Sequence, residues 1–176
     1  KELMEALQDD LAADAPSVCR RTLEDAFGVP VEEVFSRFDF DPVASASVAQ
    51  VHRATLKDGR DVAVKLRHDG VEAVFRRDMR NAIYIFRFCA RLNDIFAVQV
   101  SLCEAWEREI HKELDLTNEV RAMKAIKRAL VRDRNASATI LATADGLAAP
   151  AAFVMDWCDL HCKIDDRDAL LVHGVD

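Results

Sequence analysis

Four side chains carry the chemistry in this 176-residue sequence: Lys65, which ends the run Asp61-Val62-Ala63-Val64-Lys65, and the carboxylates Glu113, Asp115 and Glu119. In a strand, alternation places Val62, Val64 and Leu66 on one face and Ala63 and Lys65 on the other. An ammonium projecting beside a methyl group suits a cleft in which a flat base lies over Ala63 while Lys65 meets phosphate oxygens as a point charge. The segment before this strand, Pro42 to Arg53, reads PVASASVAQVHR, and the turn Lys57-Asp58-Gly59-Arg60 joins the two. Asp-Gly accepts positive φ, so the pair is expected to form a hairpin. Ala44, Ser45, Ala46 and Ser47 precede it. Ala and Ser reach positive φ only at a cost, which keeps their backbone from approaching phosphates as freely as glycine would, while the two hydroxyls offer donors instead. Plain turn initiation is the other reading of those serines. On one continuous helix, Asp115 and Glu119 share a face, a like-charge arrangement that calls for a compensating cation. An ordinary solvated helix face, with Lys112 and Lys124 nearby, is the alternative.

Val-Ala-Val-Lys resembles the third-strand lysine motif of protein kinases, with an alanine-serine loop standing where Gly-x-Gly-x-x-Gly would be. Together PVASASVAQVH and VAVK resemble the UbiB family, the aarF-domain atypical kinase-like proteins, whose alanine-rich loop replaces the glycine-rich one. Glu113-Leu114-Asp115 followed by Glu119 is similar to that family's Glu-x-Asp motif and to its lysine-pairing glutamate. The resemblance spans most of the chain and implies an α+β protein-kinase-like N-lobe: a small antiparallel β-sheet with an enlarged set of packed helices. It implies ATP or ADP with Mg²⁺ as cofactor. By the same resemblance, Lys65 holds the α- and β-phosphates, Glu119 orients Lys65, Ala44 to Ser47 cover the phosphates, and Ala63 underlies the base. Met155, Asp156 and Trp157, running into Cys158, form the hinge that meets the base. Glu113 and Asp115 tune nucleotide or metal access or work with a flanking segment, and His52 is structural. Family members support ubiquinone or other prenyl-lipid quinone metabolism through ATPase chemistry or small-molecule phosphotransfer. Prenyl-quinone lipids, quinone-biosynthesis proteins and a peripheral membrane contact are therefore the implied partners. The implied location is the matrix side of the mitochondrial inner membrane, a plastid, or the bacterial cytoplasmic membrane.

The sequence also departs from the family. Cys158-Asp159-Leu160 follows the hinge Trp where a glycine is usual, and Ala122 stands where an Asn is expected. No Lys-x-Gly-Gln, no His-x-Asp with its Asn, and no Asp-Phe-Gly occur. The chain itself is expected to hold no catalytic residue and no metal site, and to bind without turnover. A pseudokinase-like module switched by nucleotide and a lipid-surface scaffold are the alternatives.

Positioning these residues requires several elements. Three regions are expected: a helical lead-in (1–37), the N-lobe (38–159), and the start of a hinge and C-lobe (160–176). Within the lead-in, a helix is expected from Ala15 to Phe27, with Asp14 as N-cap and Gly28 as stop, and a helical turn over Pro30 to Phe35. Phe38 to Ala49 should carry a first strand and the loop. Helices are expected from Gly70 to about Val98 and from about Val100 to Arg132, with further strands at Ala138 to Ala142 and Ala149 to Trp157. The first long helix inserts between Lys65 and Glu119, and at about 100° per residue its Arg76, Arg80, Arg87 and Arg91 form a basic stripe. That stripe suits an anionic lipid surface, or pairing with Glu104, Glu107 and Glu109; the latter is the commoner use of an amphipathic helix.

A composition of 51% hydrophobic and 31% charged residues is that of one folded unit. The net charge of −7 argues against broad nucleic-acid binding. Five cysteines without framework spacing point to a reduced compartment. Cys158, His161 and Cys162 lack a fourth partner at zinc spacing and are expected to bind no metal.

Overall fold

The computed structural model describes residues 13–133 and 140–158. Pro16 opens α1 (Pro16–Phe27), and Gly28, at φ 73°, closes it by donating its N–H to the Glu24 carbonyl, a left-handed cap that glycine adopts without penalty. Ala15, not Asp14, is the N-cap. The Asp14 carboxylate instead accepts from the Asp69 backbone N–H at 3.1 Å. A single turn, α2 (Val31–Val34), leads into β1 (Phe35–Phe38), so the first strand begins earlier than expected. The loop contributes only a two-residue strand, β2 (Ala44–Ser45).

The Asp-Gly turn connects β3 (Ala49–Leu56) to β4 (Asp61–Arg67) in the expected antiparallel hairpin. Strands β5 (Thr143–Ala149) and β6 (Ala152–Asp156) complete a mixed-order antiparallel sheet, β1-β3-β4-β6-β5, with β2 on β3. Thus the strand expected at Ala138 to Ala142 starts at Thr143, with residues 134–139 outside the described ones. Ala149 belongs to β5 rather than to the last strand.

Both sheet faces are covered, each by its own core. Val62, Val64 and Leu66, fully buried, pack with Ala54, Leu56, Ala152 and Val154 against Cys19 and Leu23 of α1. Across the sheet, Phe153 packs against Leu116 and Val120 of α5 (Leu116–Asp133), with Met123 and Met155 alongside. This is the α+β kinase-like N-lobe that the sequence implied.

The helices divide more finely than their periodicity suggests. Behind Gly70, α3 (Val71–Ala90) stops short of Val98. A 3₁₀ turn at Asp94–Phe96 follows, whose Ile95 N–H donates to the Asn93 side chain, and then α4 (Ala97–Leu114). The long helix expected from Val100 to Arg132 is two helices, broken at Asp115, which adopts φ −87° and ψ 98°. Its carboxylate accepts from the Thr117 backbone N–H at 2.9 Å and the Thr117 hydroxyl at 2.7 Å, satisfying donors of the α5 start. Arg67 donates to the Leu114 carbonyl at 2.8 Å, and Leu116 N–H to the Pro150 carbonyl at 3.1 Å. Asp115 therefore works as a cap, and the shared helix face with Glu119 does not exist.

Candidate functional site

Lys65 sits in the middle of the sheet, on β4, with Val51 opposite on β3 and Phe153 opposite on β6. Ala63 lies two residues back, flanked by Arg53 and Met155. Ala63 is buried, Phe153 is wholly so, and Lys65 is one-quarter exposed along its side chain. Strand alternation thus delivers the small residue and the ammonium to one face, against α5. From α5, Glu119 closes on Lys65 with both carboxylate oxygens, 2.9 Å and 2.7 Å from Nζ. The break at Asp115 starts α5 at the height where its first turn presents Glu119 to β4.

The alanine-serine loop folds tightly over the end of the β3–β4 hairpin opposite the Asp-Gly turn. Ala46 N–H donates to the Ala49 carbonyl at 2.9 Å, and His68 N–H to the Val48 carbonyl at 3.1 Å. Ser45 is half-buried, whereas Ala44, Ala46 and Ser47 are exposed. On β6, beside β4, Met155 shares the Ala63 and Lys65 face while Asp156 falls on the other, and Trp157 follows; all three are half-buried. Asp156 N–H donates to the Ala142 carbonyl at 2.8 Å and Trp157 N–H to the Asp61 carbonyl at 3.2 Å. Those two backbone donors are thus already engaged within the sheet.

Glu113 and Asp115 do not touch Lys65. With His111, Lys112, Leu116, Asn118, Glu119 and Ala122 they line an open cavity of about 820 Å³ at the α4–α5 junction. Glu119 is the one of the three carboxylates that belongs to both this cavity and the lysine pair. The Thr117 hydroxyl, more than any other group, holds the Asp115 carboxyl below its ordinary range. Among the described residues no three His, Cys, Asp or Glu side chains converge as a metal site. His161 and Cys162 lie outside the described residues, and Cys158 is an exposed free thiol.

Two features escape motif reading. Arg53 lies over the Trp157 ring at 4.7 Å and pairs with Asp61 at 2.7 Å, tying β3 to the hinge beside Ala63. Its alternation with Val51 places it on the Lys65 face, which is the signal that could have found it. Phe153, the apolar floor beside Lys65, reads in sequence only as one more strand residue. The structural expectation for His52 holds: it is fully buried, with Nδ1 2.9 Å from the Asp39 carbonyl.

The ABC1 atypical kinase-like domain family matches residues 6–176. "Probable protein kinase UbiB" of Azotobacter vinelandii is 38% identical over 125 residues, 69% of this chain and 23% of that protein. The protein of the same name in Cellvibrio japonicus is 36% identical over 115 residues, 64% of this chain and 21% of that one. The chain thus spans about a quarter of the length of these curated relatives. Among solved structures, Rv3197 of Mycobacterium tuberculosis, determined as a complex with erythromycin, aligns with a TM-score of 0.62 at 25% identity, covering 89% of this chain and 38% of that one.

Proposed function

Because the chain belongs to the UbiB family of ABC1 atypical kinase-like proteins, we propose that it is the ATP- or ADP-binding N-lobe of a UbiB-type kinase or ATPase that supports ubiquinone or other prenyl-lipid quinone metabolism. The observation that carries this reading is the two-oxygen clasp of Lys65 by Glu119 beneath the alanine-serine loop. A pair this exposed, 26% and 41% along the two side chains, stabilises a fold by only about 0–1 kcal/mol. Its value lies in aiming the ammonium. Lys65 meets the phosphates, Ala63 and the half-buried Met155 opposite it give the base a small and apolar surround, and the Ser45 and Ser47 hydroxyls serve as loop donors. A Mg²⁺ bound with the nucleotide would supply charge neutralisation at the phosphates; its ligands would come mainly from the C-lobe, and Glu113, Asp115 and Glu119, which line the cavity at the α4–α5 junction, would tune its access. In the full-length protein, Lys65→Ala abolishes the thermal stabilisation that Mg-nucleotide gives the wild type. Undiminished stabilisation in the variant removes the assigned role.

A second reading has its own support. Tyr84, Phe88 and Leu92 beside α3, and Val98, Leu102 and Trp106 on α4, are all more than half exposed, at near four-residue spacing along each arm of the helical hairpin. That face suits peripheral contact with a lipid surface. The basic stripe contributes less to it than its spacing suggests, because Arg76 pairs with Glu72 and His111, and Arg87 with Glu104. Glu109 pairs with Lys112 instead. Phe88→Ser with Trp106→Ser is expected to lower cosedimentation with phosphatidylglycerol vesicles several-fold; unchanged binding dismisses this reading.

A further inference from the structure

His68 lies just beyond β4 and is nearly buried, with 12% of its side chain exposed. Its ring faces two acceptors from distant parts of the chain. Nδ1 is 3.3 Å from the Asp14 carboxylate, ahead of α1, and Nε2 is 3.0 Å from the Ala46 carbonyl and 3.5 Å from the Ser45 hydroxyl. A carbonyl only accepts, so Nε2 carries the hydrogen toward Ala46, while Nδ1 faces the Asp14 carboxylate. The other end of this connection is fixed as firmly. Asp14 N–H donates to the Gln50 side chain at 3.1 Å, and Gln50, fully buried, donates to the Cys19 sulfur at 3.0 Å. Asp14 also receives the Asp69 N–H.

We propose that Asp14 and His68 form a latch that fastens the alanine-serine loop to the lead-in segment and so sets the loop's position over the Lys65 face. The nucleotide consequence rests on the reading of Lys65 given above; the latch itself does not. Glycine-free, the loop cannot be positioned by unusual backbone angles, so an external side chain does it. His68 is a positioning residue acting through Ala46 and Ser45. A loop held in place before a ligand arrives loses less conformational freedom on binding, so releasing it weakens binding.

Hydrogen exchange of the loop amides and Mg-ADP titration, both on the full-length protein, test this. His68→Ala and Asp14→Ala each speed exchange at residues 45–48 about tenfold while β4 and β6 amides keep their protection, and the double variant goes no further than either single one. His68→Gln, which keeps one donor, recovers part of the protection. Mg-ADP affinity falls about three- to tenfold in the alanine variants. Unchanged loop exchange in His68→Ala, or additive effects in the double variant, overturns the latch. Faster exchange with unaltered Mg-ADP affinity, while Lys65→Ala abolishes binding, overturns its nucleotide role alone. A wild type that binds no Mg-ADP overturns the nucleotide reading and leaves the exchange result to decide the latch.

Discussion

Glu119 reaches Lys65 from a helix that begins only three residues earlier, and the side chain that makes this start possible is Asp115. Two bonds from the Thr117 backbone and hydroxyl converge on one Asp115 oxygen. Asp115→Ala is therefore expected to lower stability by about 1 kcal/mol, the ordinary cost of losing an N-cap, and Asp115→Asn by less, as denaturant titration would show. Equal stability of all three proteins would contradict the cap. His52 sets a pH dependence of its own. Burial pushes its imidazole below the ordinary value, the Asp39 carbonyl opposing this in part, and Nε2 has no hydrogen-bond partner among the described residues. The folded state keeps the ring neutral, whereas the unfolded chain protonates at about 6.5. The unfolded state thus binds more protons below that pH, and this contribution to stability, present above about 6.5, is lost as pH falls toward the depressed folded value. Carboxylates whose values are lowered, such as Asp61 and Asp115, act only near pH 4 and below, outside this window. Denaturation midpoints between pH 7.5 and 5 should fall in the wild type and fall less steeply in His52→Gln; parallel slopes would contradict the assignment.

At the scale of elements, β4 and α5 do most of the positioning, and Phe153 joins them. It is fully buried between the sheet and Leu116 and Val120, directly beside Lys65 in register. Phe153→Ala is expected to cost roughly 3–5 kcal/mol and to weaken any function of Lys65 with it, whereas Phe153→Leu retains most stability. Thermal unfolding distinguishes these; a negligible loss on truncation would show that the α5 face is not a core. The β3–β4 hairpin, the faces of β4 and the limits of α1 were legible from the sequence because each follows from local chemistry: Asp58-Gly59, strict alternation, Pro16 and Gly28. The helical boundaries were not. Leu114, Leu116 and Val120 continue an apolar pattern across Asp115, and periodicity alone cannot register a break whose cause is a side chain bonding two residues ahead. The sequence likewise could not show that Asp14 caps nothing in α1, because its partners, His68 and Asp69, lie on the far side of a hairpin. Pairing of Lys65 with Glu119 was legible through family resemblance, not spacing, since an entire helical hairpin separates them.

Taken whole, the molecule is a sheet with one face sealed by α1 and the other partly covered by α5, which leaves the Ala63 and Lys65 surface bordered by the loop on one side and the hinge on the other. No helix among the described residues is long and apolar enough to cross a membrane. The chain accounts for about a quarter of its curated relatives' length, so the test belongs in the full-length protein. If Lys65 meets phosphates and Ala63 meets the base, much of the advantage of Mg-ADP over adenosine resides in Lys65. Isothermal titration of wild type, Lys65→Met and Glu119→Gln with both ligands measures this. The account predicts that Lys65→Met sharply reduces the preference for Mg-ADP while leaving adenosine affinity unaltered, and that Glu119→Gln weakens Mg-ADP binding in the same direction. A preference for Mg-ADP that is undiminished in Lys65→Met would contradict it.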